Sequence, residues 1–369
     1  MLKSLKAAGD MWKFRWRMAL ALRATAPNVL ASADELNVFV AQQVASWAKL
    51  PLEGAAAHQG LCELNDRSFS AFVFSIRGSS VRIWKKLEIA FPAEDAAARR
   101  REQRTFLRRA ALYQAFFETT LRCTGTELSI DFAVDMNDIP EESNLMPLFG
   151  FQRMRGARNP LLPDVDFFHS KWYLSDHDTI PYEKKLVSAC FVGSSTGGWL
   201  SVESIRNGEI PRLRAAAYFQ GNPKVLFRIA NAVQCRSEEA KAELMSQPYF
   251  SEYVRWEDQL QYRFIISIDG NGAACSRLVK GLRSNSAVVK FDSQYELYYF
   301  SALKPDQDYL LVKGEDELIR IVDRELARPG TFETVAKSGQ RFADKYLTIW
   351  SVMAYTARLL SAFSTLAHR

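Results

Sequence analysis

A chain of 369 residues exceeds what one ordinary hydrophobic core holds and fits two domains of about 150 residues each. Its 48% hydrophobic and 24% charged content is that of a globular protein and excludes broad disorder. A net charge of +6 favours anionic partners without choosing among nucleic acid, membrane surfaces and phosphate-bearing substrates, and no nucleic-acid motif accompanies it.

The first 23 residues carry Lys3, Lys6, Lys13, Arg15, Arg17 and Arg23 against one acid, Asp10, with Trp12, Phe14 and Trp16 interleaved. Two readings stand: an interfacial segment resting on an anionic membrane, or a solvated basic arm or ordinary first helix. No apolar run ends in a small-residue cleavage site, so a secretory signal is not expected. The cysteines, Cys62, Cys123, Cys190, Cys235 and Cys275, are scattered, and the four histidines form no H-x-x-x-H pattern. Such spacing suits neither a disulfide framework nor a zinc site and points to a reducing compartment.

Residues 68–74 and 81–91 read as strands separated by a turn at Arg77–Gly78–Ser79–Ser80. A long helix is predicted over about 93–123, with Phe106, Leu107, Ala110, Tyr113 and Phe117 at core spacing. A strand at 127–134 then leads into Asp135–Met136–Asn137–Asp138–Ile139–Pro140, and a strand–helix–strand passage is the usual unit of a parallel sheet. In the second half strands are predicted at 186–192, 215–219, 264–269, 286–291 and 309–312, with helices at about 238–246, 275–283 and 315–328. Helices at about 331–345 and 347–366 close the chain, and Arg358 in the last marks a core helix rather than a membrane span. The outline is an α/β protein of two halves joined near residues 175–181.

Ligands of open α/β sheets bind outside the carboxyl ends of the strands, which directs attention to three loops. Gly193–Ser194–Ser195–Thr196–Gly197–Gly198 follows an apolar strand; its small residues and hydroxyls suit phosphate or ribose oxygens, or an ordinary turn. No Gly-Lys-Ser/Thr closes it, so it is not a P-loop. Residues 268–277 run from a buried strand through Asp269–Gly270–Asn271–Gly272 into a helix starting near Ser276, with Arg277 offering a fork of donors suited to a diphosphate. A calcium-like loop or a plain turn is the alternative there, although the carboxylate series of an EF-hand is absent. Asp138 either accepts the proton of an attacking hydroxyl or is a surface carboxylate.

Several pieces in the second half fall into one recognisable order. They are Ile180–Pro181–Tyr182–Glu183–Lys184–Lys185, Ala189–Cys190–Phe191–Val192–Gly193–Ser194, Tyr262–Arg263–Phe264, Ile268–Asp269–Gly270, Ser276–Arg277 and Ser284–Asn285–Ser286. Val289–Lys290, Tyr295–Glu296–Leu297–Tyr298–Tyr299, Leu303–Lys304–Pro305 and Gly339–Gln340–Arg341–Phe342–Ala343 continue it. In order and spacing they resemble glycosyltransferase family 90, which includes protein O-glucosyltransferases, fungal capsule xylosyltransferases and bacterial lipopolysaccharide-core enzymes.

The resemblance implies a GT-B fold of two Rossmann-like domains facing a cleft. Residues 1–178 would form the acceptor side with the base, 179–345 the nucleotide-sugar side, and 346–369 a helix returning to the first domain. It implies an inverting, metal-independent transfer from UDP-glucose or UDP-xylose to a glycan or lipid-linked glycan. By position Asp138 matches the family's catalytic base and Arg277 the arginine that grips the donor diphosphate. Gly193, Ser194, Ser195 and Thr196 fall in the loop around the nucleotide, and Asp269, Gly270 and Ser276 lie at the donor cleft. The family usually has Arg where Val192 stands and often where Ser195 stands; Lys184, Lys185 or Arg263 are the candidates to substitute. Without a secretory signal, the bacterial polysaccharide branch is expected: cytoplasmic, or peripheral at the inner face of the cytoplasmic membrane, and without a nucleic-acid partner. The competing readings are a metal-dependent GT-A transferase using Asp164 and Asp166, and a non-catalytic polysaccharide- or membrane-binding homologue.

Overall fold

A computed structural model of the chain describes residues 2–24, 31–48, 54–85, 96–143, 146–165, 178–274 and 276–367. The chain divides into two units: Met1–Leu174 with Glu296–Tyr299 and Lys345–Arg369, and Ser175–Tyr295 with Phe300–Asp344.

The first unit opens with helices α1 (Leu2–Ala24), α2 (Ala33–Val44) and α3 (Gly54–Arg67). Ser32 and Glu35 form a reciprocal capping box that satisfies the free N–H groups at the start of α2. Strands β1 (Ala71–Gly78) and β2 (Ser80–Trp84) form a hairpin whose tight turn places Gly78 at φ +63°, a conformation that suits glycine. Helix α4 (Ala96–Thr124) crosses to β3 (Leu128–Asp135), and the short β4 (Leu148–Phe149) completes the sheet in the order β2-β1-β3-β4. The helical crossover does join two strands of like direction, but β1 lies antiparallel between them, so the expected parallel unit is part of a mixed sheet. On one face, Phe74 and Phe132 stack at 5.6 Å and Phe117 of α4 meets both. Leu61 and Leu64 of α3 pack with Val73, Ala133 and Leu148 on the other face.

The last helix, α12 (Ile349–Leu366), belongs to this first unit. Thr348 caps it, Tyr355 donates to the Leu161 carbonyl at 2.6 Å, and Phe363 packs against Phe149 at 4.9 Å. Arg358 reaches Asn37 on α2. Among the described residues no helix is long and apolar enough to cross a membrane.

The second unit is an alternating α/β domain. Its elements are β5 (Leu186–Ser194), α5 (Val202–Arg206), α6 (Pro211–Tyr218), β6 (Val225–Asn231), α7 (Glu238–Ser246), α8 (Trp256–Gln259), β7 (Tyr262–Ser267), α9 (Ser276–Leu282), β8 (Ala287–Phe291), β9 (Leu310–Val312), α10 (Glu315–Ala327) and α11 (Glu333–Tyr346). The five strands are parallel in the order β9-β8-β7-β5-β6. Residues 215–219, expected as a strand, lie mainly in α6, because Pro211 at the first helical position and three consecutive alanines favour a helix. The strand that fills the place is β6, whose Val225, Phe227 and Ile229 alternate inward.

Candidate functional site

From β5 the chain goes out to one edge of the sheet through β6, and then returns past β5 to β7, β8 and β9. The order therefore reverses between β5 and β7, the point at which open α/β sheets take their ligands, outside the carboxyl ends of the strands. The two loops at that point are residues 193–198 and 268–274.

One guanidinium knits them together. Arg212, second residue of α6 and 9% exposed, donates from Nε to the Asp269 carbonyl at 3.1 Å and from Nη2 to the Ile268 carbonyl at 3.0 Å. Its Nη1 serves the other loop, reaching the Ser194 carbonyl at 3.0 Å and Thr196 Oγ1 at 2.6 Å. Arg277 sits beside it, donating to the Val192 carbonyl and to Gln259 Oε1 at 2.8 Å. The Phe191 ring receives both cations, with its centroid 4.6 Å from Arg277 and 5.3 Å from Arg212. Two positive charges thus stand at the carboxyl end of β5, although position 192 itself is a buried valine.

The loops approach each other closely. Gly197, at φ +130°, donates its N–H toward Asn271 Oδ1 at 3.2 Å, and a Cβ at position 270 would fall 2.2 Å from Thr196 Oγ1. Ser194 Oγ accepts from Asn231 at 3.3 Å. The carboxylate of Asp269 is held by Lys290 Nζ at 3.1 Å and by the Ser293 hydroxyl, both almost wholly buried. It serves as a local anchor, and its carbonyl is the group turned to Arg212.

Of the predicted site residues, Gly193, Ser194, Thr196, Asp269, Gly270, Ser276 and Arg277 come together in or beside these loops. The remaining predicted residues are placed differently. Ser195 is fully buried; its hydroxyl donates to the Val233 carbonyl and accepts from the Val233 N–H, each at 2.9 Å, so it joins β5 to the chain after β6. Arg263 is the second residue of β7 and Lys184 and Lys185 precede β5, which puts all three at the amino ends of parallel strands, about 25 Å along β5 from its loop. There Arg263 pairs with Glu325 at 2.6 Å and Lys185 with Asp178 at 2.7 Å, in buried structural contacts, while Lys184 is exposed. The helix α9 that carries Ser276 and Arg277 has only seven residues, so its macrodipole is small.

Arg212, Asn271, Gln259, Lys290 and Ser293 were missed by sequence reasoning. For Arg212 a signal existed in Ile210–Pro211–Arg212: a proline that starts a helix sets the next side chain near the helix N-terminus.

In the first unit, Asp138 lies in the loop after β3. Asp135, fully buried at the strand end, accepts the Asn137 N–H at 2.9 Å and the Glu141 N–H at 2.7 Å, one oxygen for each, and so spans the loop. Burial raises the Asp135 pKa against the lowering effect of those N–H groups. Asp138 itself is 39% exposed, with Oδ1 3.4 Å from both Nη1 and Nη2 of Arg109. Arg109 also donates to the Met136 carbonyl and lies 4.7 Å over Phe151, while Gln152 donates to the Asp138 carbonyl. Asp164 of the D-x-D pair is buried and Asp166 lies outside the described residues. Among the described residues no group of three or more His, Cys, Asp and Glu is placed to hold a metal.

The family model described as Glycosyl transferase family 90 matches residues 99–369. No curated protein matches the chain. Among solved structures, the GtfA/B complex is similar at 13% identity and a TM-score of 0.32, covering 52% of this chain and 39% of that one. TarM is similar at 12% identity and a TM-score of 0.29, covering 52% of this chain and 36% of that one. The chain thus spans well under half the length of both.

Proposed function

Because the chain belongs to glycosyl transferase family 90 and is therefore a glycosyltransferase, we propose that it moves a glucose- or xylose-class sugar from a UDP-sugar to an acceptor hydroxyl with inversion. The observation that carries this reading is the pair of loops at the reversal point of the parallel sheet, joined by Arg212 and flanked by Arg277.

In this reading the second unit holds the donor. The positive charges of Arg277 and Arg212 stabilise the diphosphate as the bond from C1 to UDP breaks, and a preorganised donor of this kind is typically worth about 3 kcal/mol in the barrier. Asp138 in the first unit is the general base: as the acceptor oxygen bonds to C1 from the face opposite UDP, its proton passes to the Asp138 carboxylate. Asp135 and Arg109 keep the loop that carries this carboxylate in one shape. The acceptor is read as a glycan or lipid-linked glycan of bacterial lipopolysaccharide core or surface polysaccharide, with the enzyme on the cytoplasmic side of the membrane. A net charge of +6 supports an anionic acceptor or surface.

Thermal unfolding of wild type and Asp138→Asn against a panel of nucleotide sugars tests the reading. UDP-linked donors are expected to raise Tm in both proteins, with transfer lost only in the variant, by about 100-fold or more. Normal turnover by Asp138→Asn, or stabilisation by no uridine nucleotide, would overturn it.

A further inference from the structure

The first helix has two faces of opposite character. Phe14, Met18 and Ala21 are buried within the first unit, which fixes the roll of α1. Trp12 and Trp16, one helical turn apart, project from another side with 66% and 50% of their surface exposed. Their rings stack at 6.5 Å with an interplanar angle of 14°. Arg23 continues the same stripe two turns further on, Lys13 borders it, and both are exposed.

An exposed pair of indoles is costly in water, and the fully buried side chains that hold α1 to its unit, Phe14, Met18 and Ala21, lie on another side. Two features of the helix identify what covers it. Its charge is of one sign, six basic residues against Asp10 alone; Arg15 is paired with Glu118, while Lys13 and Arg23 beside the indoles are exposed, so the complementary surface is anionic. Its large side chains are tryptophans, whose apolar body and polar N–H suit the headgroup boundary of a bilayer. No described helix has the length and apolarity to cross that bilayer, so contact is from the side.

We propose that the Trp12–Trp16 face of α1 docks on the surface of an anionic lipid bilayer, with the indoles seated among the headgroups and Lys13 and Arg23 against lipid phosphates. The surface involves none of the residues assigned to the donor or the base. It deepens the sugar-transfer reading by placing the enzyme where lipid-linked acceptors reside, yet its test does not depend on transfer.

The test is co-sedimentation of the full chain with vesicles of phosphatidylcholine alone, or with about one-third phosphatidylglycerol, at low and high salt. Wild type is expected to bind only the anionic vesicles and to be released by salt. Trp12→Ala/Trp16→Ala and, separately, Lys13→Glu/Arg23→Glu are each expected to weaken partitioning by about tenfold or more, with circular dichroism and urea midpoint unchanged. Absence of wild-type binding, or undiminished binding by both variants, overturns the proposal. So does a dimer, seen by light scattering, that the tryptophan variant dissolves while vesicle binding persists, since the face would then belong to a second copy.

Discussion

The hydroxyl of Thr196 occupies the space that a side chain on residue 270 would need: a Cβ there would fall 2.2 Å from Thr196 Oγ1 and 2.9 Å from Arg212 Nη2. Glycine at 270 is thus the condition under which the two loops share one guanidinium.

Gly270→Ala is therefore expected to force Thr196 and Arg212 apart. Overpacking of this kind costs about 1–3 kcal/mol. If about 1.4 kcal/mol of that is lost from the donor site, UDP affinity falls about tenfold. Calorimetric titration of UDP, alongside the urea midpoint, separates the two effects.

Arg212 makes four hydrogen bonds to the two loops. Arg212→Met removes the donor from the buried Ile268 contact and from the part-buried Asp269 and Ser194 carbonyls, and a stability loss of about 2–4 kcal/mol is expected. Arg212→Lys retains the charge but not the planar fork, so it should recover part of the UDP affinity and little of the stability. Chemical denaturation and UDP titration of the two variants check this.

Arg263 provides the contrasting case. Its pair with Glu325 is almost fully buried, at 7% and 0% side-chain exposure, and Glu325 also accepts from the N–H groups of Gly330 and Phe332. Arg263→Ala leaves an uncompensated buried carboxylate and is expected to destabilise by about 3–5 kcal/mol. The UDP affinity of the folded fraction should be unchanged. A selective loss of UDP binding at constant stability would return Arg263 to the donor site.

Glu35 links stability to pH in the first unit. The side-chain contact with Lys345, followed by the Ser32 N–H, lowers its pKa from 4.5 to about 2. A carboxylate with a depressed folded-state pKa adds stability that is complete above the unfolded value and vanishes as pH falls through the folded one. Glu35→Gln should accordingly lower the urea midpoint at pH 7, and the difference should disappear between pH 4.5 and about 2. Both partners are more than one-third exposed on their side chains, and with screening the effect stays below about 1 kcal/mol.

How much could be read from the sequence follows physical lines. Apolar runs such as residues 186–192 and 286–291 declare themselves because strands covered on both faces are hydrophobic throughout. β6 was missed because Arg228 and Asn231 interrupt its apolar character, leaving a short period-two pattern. The run of alanines in α6 is equivocal alone, and only Pro211 gives it a direction. Direction also misplaced a cation: Arg263 stands at the amino end of a parallel strand, and such residues emerge at the edge opposite the ligand loops. Pro211 sets Arg212 at a helix start, but the partners of Arg212 come from loops 16 to 57 positions away in the chain, and no local pattern encodes that meeting.

Since α12 completes the first unit after the whole second unit has been made, synthesis runs out of order with assembly. On the ribosome, the sheet that carries Phe149 waits for Phe363, so its apolar surface stays uncovered over more than half of translation. The second unit, almost continuous in sequence, is free to collapse in that interval. Production of the first unit should therefore depend on chaperone capacity more than its final stability suggests, and cutting the chain short before α12 should yield aggregate rather than a smaller enzyme.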